Sequence, residues 1–269
     1  MALSLVLAAA HRLPAHEDPH HRIEALTKQI AERPGDHELY LKRGALHRVA
    51  SHWDLALADF ERALVLEPGL ETVAYYRGRV LLDAGRFAEA EATLDAFLEE
   101  RADHVEALIA RARARRKLGK PLGAVDDYDR VLALVGRSAP DIHVERAAAL
   151  AESGPGHLET ALFGLDEAIR DLGPLIVLES KAIEVLLSMR DYDAALERIA
   201  RLVDRLPRKE AWLLRRGEVL ERAGRSGQAR ASFEAALLAI ESLPAHLRQV
   251  PMSRDLELRL RVLLHREDQ

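Results

Sequence analysis

The residues most suggestive of chemistry lie near the start of the chain. His16-Glu17-Asp18-Pro19-His20 matches H-E-x-x-H, a pattern in which a helix presents two His ligands to zinc and a Glu activates a metal-bound water. That chemistry requires both imidazoles one turn apart inside one helix. Proline is tolerated in the first turn of a helix but not within it. A helix is therefore expected to begin at Asp18-Pro19, with Asp18 as N-cap, which leaves His16 outside it. No third ligand follows in a matching context. A weaker metal reading concerns the same residues. If the chain is cleaved after Ala15, the free amine and imidazole of His16, assisted by His20 or His21, suit Cu(II) or Ni(II). The plainer alternative is a solvated, His-rich tail, since ligand types alone do not make a site. The sequence predicts no cofactor, with His16, His20 and His21 as weak metal candidates.

Other catalytic patterns are missing. The chain has no Gly-rich phosphate loop, no G-x-S-x-G, and no cysteine for a thiolate ligand, a disulfide or a nucleophile. Net charge is −5, which argues against a general nucleic-acid binder. Leu3–Ala10 is an apolar run of signal-peptide length followed by small residues, but no Lys or Arg precedes it. The expectation is export, periplasmic or secreted, with a cytoplasmic location as the alternative. No other stretch approaches the length of a membrane span.

The elements that would position any site emerge from self-comparison. Hydrophobic residues make up 48% and aromatics only 4%, and Ala, Leu, Arg and Glu favour helices throughout. "ALADFERALVLEP" (Ala56–Pro68) is echoed by "AEATLDAFL", "AVDDYDRVL", "ALFGLDEAI", "ALERIARLV" and "ARASFEAAL", each preceded by a second segment such as "AYYRGRVLLDAG". Six repeats result: 37–70, 71–104, 105–138, 140–175, 176–209 and 210–243. The first supplies Tyr40, Gly44, Ala56, Phe60, Ala63 and Pro68. The sixth supplies Gly217, Gly224, Ala229, Phe233 and Ala236. The spacing resembles the tetratricopeptide repeat (TPR) family, with small residues at positions 8, 20 and 27, Gly at 15 and Pro at 32. That resemblance implies an all-α, right-handed α-solenoid of about six TPR helix hairpins, since no hairpin buries its apolar face alone.

Both ends read as caps. Residues 1–17 are a signal-like or disordered segment. Residues 18–36 form an N-terminal capping helix, and 244–269 a linker and C-terminal capping helix. In the latter Leu256, Leu260, Leu263 and Leu264 make one stripe. A dimerisation helix is the alternative for that stripe.

Charged residues recur in register. Repeat position 7 carries Arg43, Arg77, Arg111, Arg146 and Arg216, and position 25 carries Glu61, Asp95, Asp129, Asp166 and Glu234. The fifth repeat lacks both members, with Ala182 and Ala200. This joint loss predicts a structural ion-pair ladder within each repeat, with Arg77 meeting Asp95 or an acid of the adjacent repeat.

The resemblance implies a concave surface lined by positions 2, 5, 9, 12 and 13 of each first helix. Tyr75, Arg79, Arg113, Arg116 and Lys117 fall there and form a candidate basic site, while the later repeats turn acidic. The two-carboxylate clamp of chaperone-binding relatives is missing: Leu41, Lys42 and Ala45 stand where Lys, Asn and Asn are expected. The expected function is a non-enzymatic scaffold or adaptor that binds a protein or peptide, with an acidic segment as a candidate ligand. The alternatives are an exported metal-binding protein and a non-catalytic subunit of an enzyme complex.

Overall fold

Why the 34-residue period makes hairpins is visible at repeat position 8. The computed structural model describes residues 18–266, and a Cβ added at Gly217 would lie 2.2 Å from the Phe233 ring. At Gly78 it would meet Leu94 at 2.6 Å, and at Gly44 it would meet Phe60 at 2.9 Å. In these three repeats position 8 of the first helix is thus in contact with position 24 of its own second helix. The large side chain lies where the small one lets the backbone approach. Phe60 also stacks on Tyr76 of the next repeat, with ring centroids 6.0 Å apart, so it serves its own hairpin and the neighbouring one.

The described residues are helical, with no strand among them. Two compact units divide at Ala139 and Pro140. Unit 1 holds α1 (Pro19–Glu32), then three hairpins: α2 (His37–Val49) with α3 (Trp53–Leu66), α4 (Thr72–Asp83) with α5 (Phe87–Glu100), and α6 (Val105–Lys117) with α7 (Pro121–Val135). Each helix packs on the next, and α4 also packs on α6. Unit 2 holds α8 (Pro140–Glu152) with α9 (Leu158–Leu172), α10 (Ile176–Met189) with α11 (Tyr192–Arg205), and α12 (Glu210–Arg222) with α13 (Ser226–Glu241). The short α14 (Ala245–Arg248) and α15 (Pro251–Arg266) follow. The extra residues of the fourth repeat form a 3₁₀ turn, Pro155–His157, between α8 and α9.

The ends behave as caps. Asp18 accepts a hydrogen bond from the His20 amide at 3.0 Å, with Pro19 as the first helical residue. α15 lays Leu260, fully buried, on the core of the sixth repeat, with Leu256, Leu263 and Leu264 packed beside it. The leucine stripe is therefore spent within the chain.

The turn between the two helices of a pair needs a left-handed residue at position 15. Gly85, Gly119 and Gly224 supply it, with φ of 74°, 71° and 73°. Ser51 and Arg190 hold the same place with φ of 60°, at a cost of roughly 1–2 kcal/mol for an L side chain.

Candidate functional site

The buried charges follow a rule built on the sixteen-residue step from one helix to the next. Arg43 donates from Nε and Nη2 to Asp59 at 2.9 and 2.6 Å, and from Nη1 to Thr27 of α1 at 3.1 Å. Arg111 repeats the geometry. It donates to Asp127 at 3.0 and 2.5 Å, and to Asp95 of the preceding repeat at 2.8 Å. Arg43 and Arg111 thus each reach position 23 of their own repeat and the residue sixteen places earlier, at the place of position 25 on the preceding helix. The pairing of positions 7 and 25 within one repeat does not form at Arg43–Glu61, where Asp59, two residues earlier on the second helix, takes the arginine, nor at Arg77–Asp95. Asp95 instead receives Arg111 and Arg115 of the following repeat.

Position 11 joins the network. Arg115 donates to Glu91 at 3.1 Å, to Asp127 at 3.0 Å and to Asp95 at 3.1 Å. Burial favours the neutral Glu91, but the hydrogen bonds from Lys120 and Arg115 outweigh it and hold its carboxyl below the usual range. In the first repeat, position 11 is His47, buried 3.9 Å from Asp59. Burial pushes the His47 imidazole down from its ordinary value, against the pull of Asp59. Its Nδ1 lies 3.3 Å from that of His52, and the His20 ring lies 5.7 Å from the His52 ring.

The fifth repeat moves the cation to the other helix. Arg198, at position 23 of α11, pairs with Glu179 of α10 at 3.0 Å and with Asp166 of the fourth repeat. The missing Arg at position 7 is replaced, and Asp166 keeps a partner. In the sixth repeat Arg216 is exposed, and Glu234 pairs with Arg230 along α13, so no Arg216–Glu234 bridge forms. Arg146 lies against Gly164, where an added Cβ would come within 2.9 Å of its Nη1. Asp129 and Arg146 both have partners.

The second repeat stands apart. Arg77 has Thr93 at position 23, and its buried Nε finds no acceptor among the described residues.

The basic candidates lie on the opposite side of the first helices. Arg79 is two residues, about 200°, around α4 from Arg77. It donates to the Tyr75 hydroxyl at 3.0 Å, with its guanidinium over the Tyr75 ring. Tyr75 itself is 6% exposed, packed among Tyr76, Phe97 and His104. It supports Arg79 more than it offers apolar surface. Arg113 and Lys117 are exposed on α6, one turn apart, and Arg116 is half-buried. On the same set of positions Arg48 of α2 donates to Asp83 of α4 at 2.5 Å, so those two charges satisfy each other. Among the metal candidates, His20 and His21 are exposed on α1 and His16 lies outside the described residues. No group of three or more metal-ligating side chains occurs among the described residues. None of the described helices is long and apolar enough to cross a membrane.

Comparison with known proteins accords with this geometry. A tetratricopeptide repeat model matches residues 41–104, 75–141 and 181–244, more than half of the chain. No curated protein matches the sequence. Among solved structures, a tetratricopeptide repeat protein from Parabacteroides merdae is similar over 96% of this chain and 97% of its own, at 16% identity and TM-score 0.61. PilW, a widely conserved type IV pilus biogenesis factor, is similar over 76% of this chain and 93% of its own, at 19% identity and TM-score 0.61. MamA from Desulfovibrio magneticus is similar over 62% and 93%, at 16% identity and TM-score 0.53. At such identities the likeness speaks for the fold. Six helix hairpins in register, small residues seated under large ones, and the match of the repeat model make this chain a member of the tetratricopeptide repeat family.

Proposed function

We propose that the chain is a non-catalytic scaffold that binds an acidic segment of a partner protein across the first helices of its second and third repeats. The observation that supports this reading most is the set of cations carried by two helices that pack together. Arg79 on α4 and Arg113, Arg116 and Lys117 on α6 occupy one run of groove positions. Arg113 and Lys117 reach solvent, and Arg79 is held by Tyr75 in one orientation. Cations placed on rigid helices steer an acidic partner and fix its register, with charge acting more on association rate and specificity than on affinity alone. Two acids share these positions: Asp83 is engaged by Arg48, and Glu106 of α6 lies 3.5 Å from His104.

The test is co-purification of the partner from the native host, followed by affinity measurement with Arg113→Glu/Arg116→Glu. We expect at least a tenfold loss, larger at low salt. Unchanged affinity would end the assignment. The apolar run Leu3–Ala10 further supports export; N-terminal sequencing of the protein from its host checks it, and an intact Met1 end would contradict it.

A further inference from the structure

We infer that unit 1 carries a second, separate site: a carboxylate-binding pocket at Arg77 that takes an Asp or Glu side chain of a partner polypeptide. The first and third repeats show what a position-7 arginine meets in this fold. Arg43 and Arg111 each direct Nε and Nη2 at both oxygens of an aspartate sixteen residues later. Both arginines also reach a polar group sixteen residues earlier. In the second repeat those two places hold Thr93 and Glu61. Thr93 carries a hydroxyl and no carboxylate, and Arg77 Nε remains buried without an acceptor among the described residues. A guanidinium donor in that state costs free energy that a bidentate carboxylate recovers.

The space for such a carboxylate is present. A cavity of about 410 Å³ opens beside Arg77, lined by Leu57 and Glu61 of α3, Leu81 of α4, and Arg86, Glu89 and Thr93 at and within α5. In the next repeat the corresponding space is filled by the Arg115 side chain and by Asp127, which stand where Leu81 and Thr93 stand here. Two substitutions therefore coincide: the internal acid is lost and the bulky cation beside it is lost. The second repeat retains the arginine and gains a cavity.

The charges around the cavity favour one class of ligand. Arg86 is neutralised by Glu89, at 2.7 and 2.5 Å. Glu61 is exposed on the rim and makes no ion pair with Arg77. It is the acid that opposes an incoming carboxylate, so Glu61→Gln is expected to tighten binding. Arg77 lies about 200° around α4 from Arg79, so the pocket and the basic groove are distinct and their failures are separable: a charge reversal at Arg113 and Arg116 leaves Arg77 untouched.

The test reads the Arg77 Nε–Hε resonance of the ¹⁵N-labelled full chain, assigned with Arg77→Lys. The probe is a capped peptide of five Gly-Glu repeats, with a Gly-Gln peptide as control. We expect the Glu peptide at millimolar concentration to shift the Arg77 signal saturably while the Arg43 and Arg111 signals stay still, and Glu61→Gln to lower the midpoint. Thr93→Asp places an internal carboxylate where Asp59 and Asp127 stand. It is expected to move the Arg77 signal to the position of Arg43 and Arg111 without peptide, to raise the melting temperature, and to abolish the response. The inference is overturned if the Glu peptide leaves the Arg77 signal unmoved, or if the Gln peptide moves it equally. It is also overturned if Glu61→Gln alone shifts the peptide-free signal away from the Arg43 position, since Glu61 would then be its resident partner.

Discussion

Arg77 and Arg111 occupy the same repeat position, and replacing each by Ala tests whether position-7 arginines stabilise the fold through their partners. Arg111 donates three charge-assisted hydrogen bonds between 2.5 and 3.0 Å. Its side chain is 16% exposed and that of Asp127 is 4% exposed. Removing one member of a buried pair costs about 3–5 kcal/mol when the other is left uncompensated. Here Arg115 still donates to both Asp127 and Asp95, so the loss for Arg111→Ala is expected at about 2–3 kcal/mol. Arg77 has no acceptor at Nε, and Arg77→Ala removes mainly the packing of its stem, worth less than about 1 kcal/mol. Trp53 lies in unit 1 and Trp212 in unit 2. In a Trp212→Phe background, urea unfolding followed by Trp53 fluorescence therefore reports the unit that holds both arginines. Equal losses for the two variants, or a larger one for Arg77→Ala, would refute the reasoning.

Other expectations follow from single positions. Ser51→Gly and Arg190→Gly relieve a left-handed backbone at φ 60° and should each stabilise by about 1 kcal/mol in thermal melts; a loss would show that the side chains matter more than the strain. Gly217→Ala forces a methyl to 2.2 Å from Phe233 and should cost at least about 1–3 kcal/mol. Combining it with Phe233→Leu should return part of that loss, which a double-mutant cycle measures. His47 has its pKa lowered in the fold from 6.5, chiefly by burial, against the opposing pull of Asp59 and with Arg43 and His52 lowering it further. The unfolded chain then binds the proton first as pH falls, so stability declines on acidification through the window below 6.5 and is regained above it. His47→Gln should flatten the slope of unfolding free energy against pH in that window, and an unchanged slope would contradict the assignment.

The architecture was legible because a fixed period constrains every level at once. Small residues at position 8 and large ones at 24 fix how close two helices stand, and Gly44 under Phe60 and Gly217 under Phe233 carry that signal openly. The charge network was legible only in part. Positions 7 and 25 are lost together in the fifth repeat, yet Arg111 meets Asp95 of the preceding repeat and Arg198 takes the place of the missing arginine at Asp166, so a shared register did not mark a pair within one repeat. The stronger partners, Asp59 and Asp127, occur in two repeats of six and carry no period of their own. The signal that would have found them is the joint change at positions 11 and 23: His47 with Asp59, Arg115 with Asp127, and Leu81 with Thr93. The Arg198 exchange was hidden because a cation crossing from one helix to its partner leaves the register in which it was sought. Tyr75 fell on a groove position by number, yet the ring turns into the cluster with Phe97 and His104, a packing choice that helical spacing does not reveal.

The central functional claim is that a partner lies along the first helices of unit 1. Hydrogen–deuterium exchange of the full chain, with and without the partner co-purified from its host, measures this most directly. The account predicts slowed exchange concentrated in α4 and α6, spreading to α5 at Thr93 only if the Arg77 pocket is also engaged. Protection confined to unit 2, or to α3 and α7 with α4 and α6 unchanged, would contradict it.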